Sequence, residues 1–159
     1  MKRSLCAAAA VACAGTVCSA QSWNFVINGQ QQVPSNLELG VGSGTVTYHP
    51  STDVLSWEIM WSGLTGSPTA MHFHIGAPGV NGPHGVHIHT FTLAAAGSAS
   101  GAETALTPAF VNALFAGNVY VNIHTLAYPG GEIRGQVVPS PAAAALLGLG
   151  LLASARRSR

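Results

Sequence analysis

Residues 71–90 read MHFHIGAPGVNGPHGVHIHT, and residues 117–136, GNVYVNIHTLAYPGGEIRGQ, answer them near the end of the chain. Together the two stretches hold six of the seven histidines. In 71–75 the apolar Met71, Phe73 and Ile75 alternate with His72 and His74, and side chains along a strand point to opposite faces in turn. The same alternation sets Val86 and Ile88 against His87 and His89, and Val119, Val121 and Ile123 against Tyr120, Asn122 and His124. A period of two in separate segments predicts strands with one apolar face for the core and an opposite face lined with imidazoles.

Working outward, 23–27 and 44–48 read as strands, and His49-Pro50-Ser51-Thr52-Asp53 as a turn. In 54–61, Leu55, Trp57, Ile59 and Trp61 share one face and predict a half-buried strand with two core tryptophans. Strands are also expected over 85–93 and 131–137, the latter paired with 119–124 as a hairpin through Pro129-Gly130-Gly131. Thr107-Pro108 opens a short helix and Gly117 closes it, with Phe110, Leu114 and Phe115 as its apolar stripe. Residues 94–101, all small, read as a flexible linker. No stretch recurs, so one domain is expected, of all-β class: an antiparallel β-sandwich or Greek-key barrel with one short helix.

The ends read differently. Residues 1–20 start with Lys2 and Arg3, run through an Ala-rich apolar stretch and end in small residues, the pattern of a signal peptide. All three cysteines, Cys6, Cys13 and Cys18, fall inside it, so 21–137 must hold together without a disulfide. Residues 138–159 run from Pro139-Ser140-Pro141 through an Ala/Leu/Gly segment to Arg156, Arg157 and Arg159. This tail is similar to the bacterial PEP-CTERM sorting signal, with Ser140 in place of the usual glutamate. The Pro-x-Pro and the terminal arginines favour transient membrane insertion and hand-over to a sorting machinery; the alternative is a short C-terminal anchor or buried helix, for which the run falls short of the about 20 apolar residues of a permanent span. The expected destination is the cell envelope or the outside.

Setting the ends aside leaves Arg134 as the one Lys or Arg, against Glu38, Asp53, Glu58, Glu103 and Glu132. Without a basic stripe there is no footprint for phosphate, and nucleic acid is excluded as a partner.

Four motifs carry a family resemblance: the start Asn28-Gly29-Gln30-Gln31-Gln32-Val33-Pro34; Ser62-Gly63-Leu64-Thr65-Gly66; His72 and His74 with Ala77-Pro78-Gly79-Val80-Asn81-Gly82-Pro83; and the closing 117–136 block. In these the chain resembles a CHRD (chordin-type) domain over almost all of 21–137. The resemblance implies a secreted β-module with no established catalytic activity, acting on an envelope or matrix component it does not name.

The histidines are where chemistry enters. If the loop after Ile75 joined two strands in symmetric register, His74 would face His87 and His72 would face His89, with Cβ atoms about 4.5–5.5 Å apart. Four imidazoles so placed suit Zn or Cu, with His84 above them; the candidate metal ligands are His72, His74, His87, His89 and His124. The alternative is that the same rings hydrogen-bond backbone at a strand edge or face solvent. A copper-zinc superoxide dismutase-like site needs an aspartate ligand, and Asp53, the one aspartate, sits in a remote turn. There is no Gly-x-Ser-x-Gly elbow and no obvious carboxylate pair, and Gly40–Gly44 reads as a strand entry rather than a dinucleotide loop. The expectation is a protein that is not an enzyme. Glu132 and Arg134 are expected to share a strand face and pin the edge beside His124 by pairing or hydrogen bonding.

Overall fold

The computed structural model describes residues 19–138, and the expected leader and sorting tail fall almost wholly outside that range. Eight strands and one helix follow in order: β1 (Gln21–Asn28), β2 (Val41–His49), β3 (Val54–Ser62), β4 (Pro68–Ile75), β5 (His84–His87), β6 (Gly97–Glu103), α1 (Pro108–Phe115), β7 (Val119–Thr125) and β8 (Ile133–Val137). They form a single antiparallel sheet in the order β5-β4-β7-β8-β1-β2-β3-β6, curled into a nearly closed barrel. The all-β class with one short helix holds.

Alternation fills the barrel. Leu55, Trp57, Ile59 and Trp61 of β3 are all buried, as are Trp23, Phe25 and Ile27 of β1 and Met71 and Phe73 of β4. The Trp57 and Phe73 rings meet edge to face at 5.6 Å, joining β3 to β4 across the interior. The helix is bounded as its residues predict. Thr107 Oγ1 accepts from the Phe110 amide at 3.2 Å, and Gly117, at φ 71°, ends it in a Schellman turn through Gly117 N to Leu114 O and Asn118 N to Ala113 O. Phe110 and Leu114 are buried, while Phe115 packs its ring edge-on against Trp23 and Tyr48.

Two expectations are corrected. Much of the small-residue stretch read as a linker belongs to β6, which pairs with β3 from Leu55↔Glu103 to Trp61↔Gly97. A strand needs only its backbone for pairing, and here small residues admit a neighbour's bulk: a Cβ on Gly101 would lie 2.7 Å from the Trp57 ring. Conversely, the strand expected over 85–93 is only β5, at His84–His87; the chain then leaves the sheet, and Trp61 Nε1 donates to the Ala94 carbonyl at 3.1 Å.

Strands β4, β5, β7 and β8 form the flank that carries the histidines. Every residue of β7 and β8 is buried, on both faces, because loops fold over the outer side. The Gly82 amide donates to Tyr120 Oη at 3.1 Å, Gln32 Nε2 to Asn122 Oδ1 at 2.7 Å, and Gln136 Nε2 to the Gly76 carbonyl at 2.9 Å. Arg134 lies 3.5 Å above the Tyr120 ring and donates to the Ala77 carbonyl and Gln136 Oε1 at 3.1 and 3.0 Å. Glu132 takes other partners, Thr65 N at 2.8 Å and the hydroxyls of Thr65 and Thr125, each at 2.6 Å. The two are therefore held separately, and the edge expected beside His124 is not one, because β8 lies between β7 and β1 inside the sheet. Glu132 precedes the first residue of β8, so strand alternation does not apply to it, and its carboxylate turns to the 62–66 loop.

Candidate metal centre

The hairpin of β4 and β5 brings the imidazoles together in a register that differs from the symmetric one. His72 faces His87 and His74 faces His84, with a bulge after Phe73. Relative to the expected pairing of His72 with His89 the shift is two residues, which preserves the face, as a shift of one would not. The bulge lies against α1. Phe110 packs against Gly85, where a Cβ would lie 2.4 Å from its ring, so the backbone can approach the helix only through glycine, and His84 is turned onto the same face as His74.

One ring nitrogen from each of His72, His74 and His84 lies within 4.8 Å of the other two. Nitrogens about 2.0–2.1 Å from a tetrahedral ion sit about 3.3 Å apart, so closing on an ion asks for a contraction of about 1.5 Å at most. His84 is exposed and its ring stacks on His72 at 4.2 Å; it supplies the adjustable donor. His89, expected within the group, lies past the end of β5, exposed, its ring 5.8 Å from His87. His87 is exposed and meets His72 edge-on at 4.7 Å. His84 was legible only as a loop residue overhead; the structure places it in β5, opposite His74.

Protons are assigned by the carbonyls. His74 Nδ1 lies 2.9 Å from the Gly82 oxygen and His124 Nδ1 lies 2.9 Å from that of Pro129; a carbonyl only accepts, so both Nδ1 atoms carry the proton and both Nε2 atoms are bare. His124 Nε2 is 3.4 Å from His72 Nδ1. That bare nitrogen accepts from His72 Nδ1–H, which leaves His72 Nε2 as the lone pair. A backbone carbonyl holding Nδ1–H while Nε2 faces outward is the support that metal-binding histidines receive. His74 Nε2 is buried and has no hydrogen-bond partner among the described residues.

The electrostatics keep these rings neutral. Burial, then repulsion from His84, His124, His87 and His74, pushes the His72 pKa down to about 4. Burial lowers His74, with His84, His124 and Arg134 acting the same way against the Gly82 bond. His124 is lowered by burial against its bond to Pro129. The Tyr120 ring stacks on His74 at 4.8 Å and also carries Arg134, 3.5 Å from its centre. Asp53 accepts from Tyr48 Oη at 2.8 Å in the β2–β3 turn. A groove of about 810 Å³ crosses the outer face of β1, β2, β3 and β6, lined by Val26, Thr45 and Met60 among others, and includes none of these imidazoles.

The CHRD domain family model matches residues 23–137. No curated protein and no solved structure is significantly similar to the chain.

Proposed function

The chain belongs to the CHRD domain family, and from that premise we propose an exported, non-enzymatic module of the envelope or extracellular matrix whose histidine face binds a divalent transition metal. The observation that carries the metal is His74 Nε2. A bare ring nitrogen, buried without a partner, costs about 1–3 kcal/mol if nothing meets it, and here two further imidazoles converge on the same place. An all-nitrogen donor set without thiolate suits Zn²⁺ or Cu²⁺. His72, His74 and His84 are the ligands, and His124 orients His72. The signal-peptide pattern of residues 1–20 and the Pro-Ser-Pro tail support export.

Metal content before and after chelation tests the site. One Zn²⁺ or Cu²⁺ per chain is expected, lost in His74→Ala while the circular dichroism of the sheet is kept. Calorimetry that shows no uptake by the wild type would leave an interaction module without a metal. Intact mass of the protein recovered outside the cell tests export: a chain beginning near Gln21 and lacking the tail is expected, and one retaining Arg159 would remove the sorting signal.

A further inference from the structure

Building on the metal reading, we infer that His87 and His89 are capture ligands, which take the ion from solvent and pass it to the buried centre. Exposure falls inward along the row: His89, His87 and His84 are exposed, His72 is half-buried, and His74 is 6% exposed. The rings follow one another without a gap. Centroids are 5.8 Å apart from His89 to His87, 4.7 Å from His87 to His72, 5.3 Å from His87 to His84 and 4.6 Å from His84 to His74.

An ion about 2.0 Å from each of two imidazole nitrogens bridges rings whose centroids are up to about 6 Å apart. Every step falls within that span, and once the exposed His89 ring turns out of its stack on His87 the ion can exchange one nitrogen at a time without returning to water. The outer end also carries negative charge. Glu103, whose carboxylate accepts the Thr104 and Ala105 amides at 2.8 and 2.7 Å, lies within electrostatic reach of His89, and an acid beside an exposed imidazole raises the local concentration of cations. His89 has no place in the centre itself, because the register sets His87, not His89, opposite His72.

The test separates rate from affinity. Cu²⁺ is supplied as its glycine complex to the protein recovered outside the cell, uptake is followed by stopped-flow quenching of tryptophan fluorescence, and bound nitrogens are counted by electron paramagnetic resonance. The double variant His87→Val, His89→Val should load about tenfold more slowly, with its dissociation constant and nitrogen count unchanged. An unchanged loading rate would make the pair bystanders. A lost nitrogen with weakened affinity would make them resident ligands. Either result overturns the capture role and leaves the metal centre standing, whereas a wild type that takes up no Cu²⁺ removes both.

Discussion

Acid should weaken the ion-free protein through His72 in particular. In the folded chain its pKa lies at about 4, against an ordinary value of 6.5. Between these values the unfolded chain binds a proton that the folded chain refuses, so stability is full above pH 6.5 and is lost as pH falls toward 4. The displacement of about 2.5 units sets a ceiling of about 3.4 kcal/mol at 1.36 kcal/mol per unit. His72 is only half-buried, so solvent screens part of the repulsion from its neighbours, and about 1–2 kcal/mol is the figure to expect. His74 and His124, also lowered, add in the same direction. The assay is urea unfolding with a chelator present, at steps from pH 7.5 to pH 4.5. With a slope of about 1.5 kcal/mol per molar urea, the His72 share is a midpoint shift of roughly 1 M. Carboxylates titrate toward the lower end of the same window, so the comparison that isolates His72 is His72→Gln, whose midpoint should fall less steeply. Parallel curves for wild type and variant would refute the assignment of a displaced His72.

Trp57→Ala and Trp61→Ala should each cost about 3–5 kcal/mol in denaturant titrations, as large core truncations do; both side chains are buried against the barrel interior, and unchanged midpoints would contradict that. Gly85→Ala forces a Cβ to within 2.4 Å of the Phe110 ring, so it should destabilise by about 1–3 kcal/mol and weaken Zn²⁺ binding by carrying His84 away from His74; binding that survives intact would show that the bulge does not set the site.

Most of the sheet was legible because its strands set an apolar residue toward the core at every second position. Trp57 and Trp61 lie inside, where the alternation of β3 put them, and His72, His74 and His124 lie opposite Met71, Phe73 and Ile123. The helix was legible from its two ends, since Thr107 and Gly117 satisfy backbone groups within a few residues of themselves. The strand β6 was hidden because pairing of Ala, Gly and Ser with β3 rests on backbone and leaves no pattern in side chains. The partners of Glu132 were hidden too: Thr65 is 67 residues away in sequence, and no local rule links the two.

What the sequence determined by itself is therefore the face on which each histidine lies, because period two is a property of the strand alone. The domain's class, its caps and its closing hairpin are local in the same sense. Only the tertiary structure decided which histidines meet. The two-residue offset of β5 against β4 and the bulge at Gly85 are set in the folded sheet, where Gly85 lies against Phe110 of a helix more than twenty residues further along the chain. That register brings His84 to His74 and leaves His89 outside. The protonation of the site was likewise a matter of folding, since Gly82 and Pro129 lend carbonyls to His74 and His124 only once their loops have closed over the outer face of the sheet.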